Sequence, residues 1–258
     1  EKSRSFKWFF KKIIIKLNLF FSDGLICGNK KGAEIFKQLT KKTIAIIPMN
    51  GLDDEFFRPG KNFEKSFKGV DLTDKIVFSF AGAISYRKGI HLILESLKEV
   101  LTELPNSFLV IAGSGEYEEE IDGLAERLGL RGYILRVPWL NQAELKELLS
   151  VSDVFLYPSL SFKGWEEQFG YSMVEASLME LPIISTRSGS IEEVVVDGIT
   201  GILIEPDNID ELTEAMIRLA ENKDLRKSMG RAGRGYIVKN FSHQVVAGKF
   251  HDFFKKFI

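Results

Sequence analysis

From Asp23 onward, short runs of β-branched and aromatic residues alternate with stretches in which apolar positions recur every three or four residues. The first pattern suits a buried strand and the second a helix with one buried face, so their repetition predicts βα units around a mostly parallel sheet. Strands are expected at GLICG, TIAIIP, KIVFSFAG, SFLVIAG, GYILRV, DVFLYP, LPIIST and TGILIE, each apolar enough to be covered on both faces. The helix signal is clearest from Lys88 to Glu103, where Ile90, Leu92, Ile93, Leu94, Leu97, Val100 and Leu101 keep close to the 3.6-residue period. Further helices are expected over 116–128, 142–150, 170–179 and 209–221. The expected fold class is α/β, with a doubly wound parallel sheet.

The stretch from Pro48 to Val70 breaks the rhythm: it is rich in Gly, Asn, Asp and Pro and has no apolar period, so it reads as a boundary. Two expected strands precede it and six follow. Six are enough for one complete doubly wound sheet; two are not, and left alone they would expose apolar surface and open edges. Upstream sequence or a partner chain is therefore expected to complete the first part.

Charge sharpens that division. The chain as a whole carries a formal net charge of -1, but residues 1–42 hold eleven Lys/Arg against three Asp/Glu. The near-neutral total argues against nucleic acid as a partner. In the opening segment Lys7, Lys11, Lys12 and Lys16 interleave with Trp8, Phe9, Phe10, Ile13 and Ile14, so lysines interrupt every apolar run. This excludes a signal peptide and a membrane span, and suits either a membrane surface reached through residues 1–20 or a helix packed on another domain. Cys27 is the single cysteine and has no internal disulfide partner, which fits a reducing compartment.

In open α/β sheets ligands bind beyond the carboxyl ends of the strands, and three turns there carry chemistry. In FAGAISYRKGIH, Gly82 ends a strand and Arg87 and Lys88 stand just before a helix. Two cations beside helix amides suit a diphosphate, and they also suit plain solvation. In IAGSGEYEEE, Gly113 and Gly115 permit tight turning or close approach of a ligand, but Glu118 stands where a dinucleotide fingerprint would need its third glycine. The third turn lies in YPSLSFKGWEEQFGYSMVEASLMELPIIST. Glu167 ends a loop there, Gly170 opens a helix, and Glu175 follows eight residues after Glu167. Carboxylates accept hydrogen bonds from paired hydroxyls, so two along one groove suit a sugar and a ribose. An ordinary helix with scattered acids, Glu166 and Glu180 among them, is the competing reading.

At these residues the chain resembles the group 1 retaining glycosyltransferases, also called family 4, whose GT-B fold sets two Rossmann-like domains face to face. The resemblance runs from about Asp23 to the end through NGLDDEFFRP, GAISYRKG, AGSGE, DVFLYPS, EQFGYSMVEA, LPIIST and GSIEEVVVDGITGILI. It implies a Rossmann-like nucleotide-sugar-binding domain over 61–240. It further implies a remnant of the N-terminal acceptor domain with its linker over 1–60, and a closing helix over 241–258 that crosses back. By resemblance Glu167 binds hydroxyls of the transferred sugar, Glu175 those of the ribose, and Lys88 the diphosphate. Gly82, Gly113, Phe169, Gly170 and Tyr171 approach the donor, Val137 lies near the base, and Glu193 is structural. The family often carries an arginine directly after the first glycine of the cationic turn. Here Ala83 occupies that place, and Arg87 is the expected substitute.

The implied reaction moves a sugar from a nucleoside diphosphate to an acceptor hydroxyl with retention of configuration, using no metal and no cofactor. The implied partners are a nucleotide sugar and an acceptor glycan or lipid-linked saccharide, in the cytoplasm or peripherally on a membrane's inner face. The sequence contains no Asp-x-Asp pair, and His91, His243 and His251 are isolated. A nucleotide-sugar epimerase of related architecture, and a non-catalytic subunit that binds nucleotide sugar or membrane, remain the alternatives.

Overall fold

The computed structural model describes residues 2–60 and 64–258. In chain order it forms α1 (Lys2–Phe21), β1 (Gly24–Cys27), α2 (Lys30–Lys37) and β2 (Thr43–Ile46), then a hairpin of β3 (Ser66–Phe67) and β4 (Val70–Asp71). There follow β5 (Ile76–Ala81), α3 (Ile90–Glu103), β6 (Ser107–Ala112), α4 (Glu118–Arg127), β7 (Ile134–Val137), α5 (Gln142–Val151) and β8 (Val154–Tyr157). The remainder is α6 (Tyr171–Leu178), β9 (Ile183–Thr186), β10 (Gly201–Ile204), α7 (Ile209–Glu221), α8 (Lys223–Phe241) and α9 (His243–Phe254). All eight strands expected from the apolar runs are present.

Six of them make one sheet in the order β10-β9-β8-β5-β6-β7, with every neighbouring pair parallel. It is the Rossmann-like doubly wound α/β sheet. Consecutive residues Val77 and Phe78 of β5, and Leu109, Val110 and Ile111 of β6, are all fully buried. Successive side chains of a strand point to opposite faces, so burial of both sets means that helices cover the sheet on both sides. α3 contributes Ile90, Ile93, Leu94, Leu97 and Val100 to this core, the face that its period defines. Each such side chain stabilises the fold by about 1.5–3 kcal/mol through area removed from water. The chain winds outward from β5 to β6 and β7, then returns to place β8 on the other side of β5. The order of the strands therefore reverses between β5 and β8, and the crevice of such a sheet opens there.

The hairpin was not expected within the boundary stretch. Lys68 and Gly69 both take positive φ, 48° and 82°, the backbone that a two-residue hairpin turn requires. The strands on either side are only two residues long, too short to carry a readable alternation.

β1 and β2 pair in parallel as a separate two-stranded sheet. α9 packs on it, with Val246 and Phe253 burying Ile47 in a small second core beside Ile26, Ala45 and Phe250. The chain passes between the two sheets at two points that touch. Leu52 N–H donates to the Phe241 carbonyl at 3.1 Å and His243 N–H donates to the Leu52 carbonyl at 3.0 Å. A Cβ on Gly51 would stand 2.3 Å from His243 Cα, so only glycine lets the two crossings lie this close. Arg234 of α8 fastens the first crossing, donating to the carbonyls of Asp54 at 2.9 Å and Phe57 at 2.7 Å and also to that of Leu178.

α1 is helical, with Lys11, Lys12 and Lys16 exposed beside Ile13, Ile14 and Leu17. The side chains of Lys7, Trp8, Phe9 and Phe10, named above on its two faces, lie outside the described residues. Among the described residues no helix is long and apolar enough to cross a membrane.

Candidate functional site at the carboxyl ends of the strands

At the reversal point lies a cavity of about 410 Å³, lined by Ala81, Gly82 and Ala112 at the ends of β5 and β6, Tyr157 at the end of β8, and Glu167 to Ser172 with Glu175. Trp139, Leu140 and Leu145, between β7 and the body of α5, close the other side. The volume is within the range of small-molecule sites.

Three buried polar side chains meet here: Tyr157 and Glu167, which line the cavity, and Lys88, which reaches them from behind. Lys88 Nζ donates to the Glu167 carboxylate and to the Tyr157 hydroxyl, and the Tyr157 hydroxyl donates to Glu167 Oε2 at 2.9 Å. Lys88 and Glu167 are each only 7 % exposed, so neither charge could be held here without the other. Burial pushes the Lys88 ammonium below the usual lysine range, with the adjacent carboxylate pulling it back up. The Tyr157 phenol is driven well above its ordinary value by burial first and by the Glu167 charge second, so it stays a donor. Its ring lies parallel to Phe80 at 5.9 Å, which fixes the hydroxyl's position.

Local backbone explains why Lys88 points inward. Tyr86–Lys88 form a single 3-10 turn, and Gly89 then takes φ 69° before α3 begins. A Cβ on Gly89 would stand 2.1 Å from the Pro158 carbonyl oxygen, so this turn is pressed directly against the end of β8. Successive residues of a 3-10 turn diverge by about 120°. Lys88 therefore enters the interior while Arg87 leaves it. The Arg87 guanidinium stacks over Trp165 at 4.2 Å, and its Nε is buried without a hydrogen-bond partner among the described residues. The turn sends the two cations different ways, but both heads come back to one ring: Lys88 Nζ also lies over Trp165, at 5.2 Å.

Glu167 is held by its backbone as well. Its carbonyl accepts from Ser190 N–H at 2.9 Å, and Gly189, at φ 60°, packs so closely that a Cβ would stand 2.3 Å from that same carbonyl oxygen. Gly170, at φ 75°, turns the chain from this loop into α6, and a Cβ there would collide with Met173 Cε at 2.3 Å. The turn brings the loop carboxylate and the helix carboxylate to one cavity. The Glu175 carboxyl differs from that of Glu167 in having no hydrogen bond or ion pair among the described residues, and burial alone raises it from 4.5 to about 7.

The remaining expected residues fall around this centre. Phe169, Gly170 and Tyr171 are on the wall. Gly113 backs the wall: a Cβ there would meet the Gly82 carbonyl oxygen at 1.9 Å, so its glycine serves close packing of the first two turns. Ala83 is half-buried beside Gly82, and Val137 is buried behind Trp139 and Leu140, which take the surface position instead. Tyr157, Trp139 and Gln168 were missed by sequence reasoning. Tyr157 could have been found as a polar-tipped residue ending an otherwise apolar strand, DVFLYP.

A second crevice of about 600 Å³ adjoins the first and shares Gln168, Phe169 and Tyr171 with it. Its far side comes from the β1–β2 unit, and that unit is bolted to the rim of the cavity. Asn29 Nδ2 donates to Gln168 O and Gln168 Oε1 at 3.1 and 3.0 Å, Lys31 pairs with Glu166, and Asn50 N–H donates to the Tyr171 hydroxyl at 3.1 Å. Glu193 Oε1 accepts from Lys30 N–H at 2.8 Å, at the N-terminus of α2, where a carboxylate offsets free amides and the helix dipole. Among the described residues no group of three or more His, Cys, Asp or Glu side chains is placed to hold a metal ion.

Comparison with known proteins agrees with this architecture. The family model for "Glycosyl transferases group 1" matches residues 62–236. The capsular polysaccharide biosynthesis glycosyltransferase CapM of Staphylococcus aureus is 26% identical over 100% of this chain and 68% of its own length. A GDP-mannose-dependent alpha-(1-6)-phosphatidylinositol monomannoside mannosyltransferase of Mycolicibacterium smegmatis is 27% identical over 74% of this chain and 51% of its own. The chain thus spans about half to two thirds of the length of these relatives. Among solved structures, Anabaena Alr3699/HepE in complex with UDP superposes with a TM-score of 0.85 at 18% identity, covering 95% of this chain and 67% of that one. The C-terminal domain of the group 1 family protein LpcC from Francisella tularensis superposes with a TM-score of 0.66 at 21% identity, covering 74% of this chain and 99% of that one.

Proposed function

Because this chain belongs to the group 1 glycosyltransferases, whose family model spans more than half of it, we propose that the cavity at the strand reversal binds a nucleoside-diphosphate sugar. We further propose that the complete enzyme transfers the sugar to an acceptor hydroxyl with retention of configuration. The observation that carries the reading is that Glu167, from the loop after β8, and Glu175, from α6, line one cavity, with Lys88, from a turn far off in sequence, paired to Glu167 behind its wall. Glu175 is a half-buried acid whose carboxyl has no partner among the described residues, and vicinal ribose hydroxyls would supply hydrogen bonds to it. The donor complexes of Anabaena Alr3699/HepE with UDP and UDP-glucose support a nucleotide sugar as the ligand class.

Transfer breaks the bond between the anomeric carbon and the diphosphate, and negative charge grows on the departing oxygen. Lys88 and the free amides opening α6 would stabilise that charge more in the transition state than in the ground state, and they can do so without a metal. Glu167 is a poor candidate for a covalent nucleophile, because Lys88, Tyr157 and the Gln168 N–H already engage its carboxylate. That arrangement suits a fixed acceptor of sugar hydroxyls. The acceptor would then attack from the face the diphosphate leaves, which retains configuration. The crevice shared with the β1–β2 unit is the place on this chain from which an acceptor would approach.

Calorimetric titration with UDP-glucose and GDP-mannose, with and without EDTA, tests the donor and metal claims together. Binding that survives EDTA and weakens at least tenfold in Glu175→Ala and Lys88→Ala is expected. Failure of every nucleotide sugar to bind the folded chain would overturn the reading. Proton NMR of the product formed by the complete enzyme decides retention.

A further inference from the structure

The loop from β8 to α6 folds back on itself before it reaches Glu167. Phe162 and Trp165 exchange both backbone hydrogen bonds, each N–H donating to the other's carbonyl at 2.9 Å, and Lys163 and Gly164 between them take φ 49° and 79°. This is a two-residue hairpin, whose turn requires positive φ at both central positions. Its base is bonded to the cationic turn: the Arg87 carbonyl accepts from Leu160 N–H at 2.7 Å and from Ser159 Oγ at 3.1 Å. On its flanks Ser161 Oγ lies 3.0 Å from Ser188 Oγ, and the Phe162 ring packs on Tyr86 with centroids 4.9 Å apart. The hairpin and the Tyr86–Lys88 turn are thus fastened together, although they lie far apart in sequence.

Trp165 is the side chain that this hairpin sets against the two cations. The Arg87 guanidinium lies 4.2 Å and Lys88 Nζ 5.2 Å from its ring centroid. Two like charges brought to one ring repel each other, so something must hold them. Lys88 is held by Glu167, whereas the carboxylate of Glu166 is turned away to Lys31 of α2. Among the described residues Arg87 has no ion pair, and its Nε is buried without a hydrogen-bond partner. The ring is what remains to hold it. A π-face attracts a cation through its quadrupole and leaves the net charge uncancelled, where a carboxylate in the same place would neutralise it. The Arg87 charge therefore persists beside the Lys88–Glu167 pair, and it acts on both Lys88 and Tyr157, which lines the cavity.

We infer that Trp165 is a positioning residue for donor binding: its ring holds the Arg87 guanidinium, unneutralised, beside Lys88 for an incoming diphosphate. This rests on the nucleotide-sugar reading. A guanidinium stacked by its face keeps the N–H groups in its own plane free to donate to phosphate oxygens. An arginine loose in solvent would have to be ordered when the anion binds; one already stacked has been ordered on folding, and binding gains by the difference.

The test is calorimetry of UDP with the whole chain as wild type, Trp165→Leu, Trp165→Phe, Arg87→Gln and the double variant Arg87→Gln with Trp165→Leu, each checked by urea unfolding. Losing a half-buried cation–π contact is expected to weaken UDP about fivefold to tenfold in Trp165→Leu. Trp165→Phe, which keeps a ring, is expected to stay within about twofold of the wild type. In the Arg87→Gln background Trp165→Leu is expected to cost under about twofold, because the group it acts through is gone. An indole that merely props the loop would cost the same factor with and without Arg87, and that result overturns the inference. Unchanged UDP affinity in Trp165→Leu also overturns it, as does tighter binding, which would show the ring shielding the cations. Either outcome leaves the donor reading standing. If Trp165→Leu does not unfold cooperatively, Trp165→Phe carries the comparison: weakening that is as large without Arg87 as with it refutes the positioning role. Failure of UDP to bind the wild type would bring down the donor reading, and this inference with it.

Discussion

Replacing Glu175 with glutamine removes a charge from the one acid in the site that has no partner, and the structure sets the size of the effect. Burial raises this carboxyl from 4.5 to about 7, which is worth about 3 kcal/mol. The folded state therefore holds the proton more tightly than the unfolded chain. Its contribution is greatest below pH 4.5, declines as pH rises toward 7, and levels off above that. Glutamine keeps the shape and never ionises. Urea unfolding at intervals from pH 4.5 to 8.5 is expected to show Glu175→Gln near wild-type stability at the acid end and more stable by up to about 3 kcal/mol at the alkaline end. Comparing the two proteins at each pH cancels the titration of every other group. A difference that does not grow across this window would refute the claim that the carboxylate is uncompensated. The same argument reaches function: hydroxyls bonding to the ionised form would lower its pKa, so UDP-glucose should bind more weakly as pH falls below 7, and this dependence should vanish in the variant.

Tyr157→Phe deletes the hydroxyl between Lys88 and Glu167 but leaves their ion pair, so donor kcat/KM should fall about tenfold or more while stability drops by about 1–2 kcal/mol; unchanged kcat/KM in the complete enzyme would show the hydroxyl to be idle. Arg234→Ala leaves three carbonyls without their cationic donor, and a loss of about 2–4 kcal/mol is expected by chemical denaturation, against a loss under 0.5 kcal/mol if water replaces the guanidinium freely. A membrane-surface role for α1 predicts that the pair Lys11→Glu and Lys16→Glu lowers co-sedimentation with phosphatidylserine vesicles at least tenfold, since each basic residue near such a surface contributes about 1 kcal/mol; equal sedimentation of both proteins would leave α1 as a packing helix.

Much of the fold was legible because its signals are redundant. Except at its edge strand β7, the strands of the large sheet are buried on both faces, so an unbroken apolar run marks them regardless of register, and α3 and α7 show a full helical period. The hairpin of β3 and β4 escaped because two-residue strands cannot display a period, although Lys68–Gly69 carries the turn chemistry. The tie between the two sheets was hidden for a different reason. Gly51 meets His243 across most of the chain, and Arg234 reaches back to Asp54 and Phe57; no local pattern encodes a contact of that separation.

The site was legible in its composition and not in its directions. Glu167 and Glu175 stand eight apart, but the distance along the chain says nothing about a shared cavity, because Glu167 lies before the helix and Gly170 supplies the left-handed turn between them. Arg87 and Lys88 are adjacent, and adjacency suggested a pair of cations facing one anion. A 3-10 turn rotates neighbours apart, so Lys88 becomes the buried partner of Glu167 while Arg87 is half-buried on Trp165, whose ring Lys88 Nζ also approaches. The same turn decides the electrostatics: Lys88 is the cation paired with Glu167, and the Arg87 charge, stacked on the same Trp165 ring, acts on both Lys88 and Tyr157. On the proposed function, the negative charge of a nucleoside-diphosphate donor would be met by the amides opening α6, by Arg87 and by freeing Lys88 from Glu167. Binding and the loosening of that ion pair are on this account one event, which makes Lys88, Tyr157 and Glu167 a unit whose substitutions should combine less than additively.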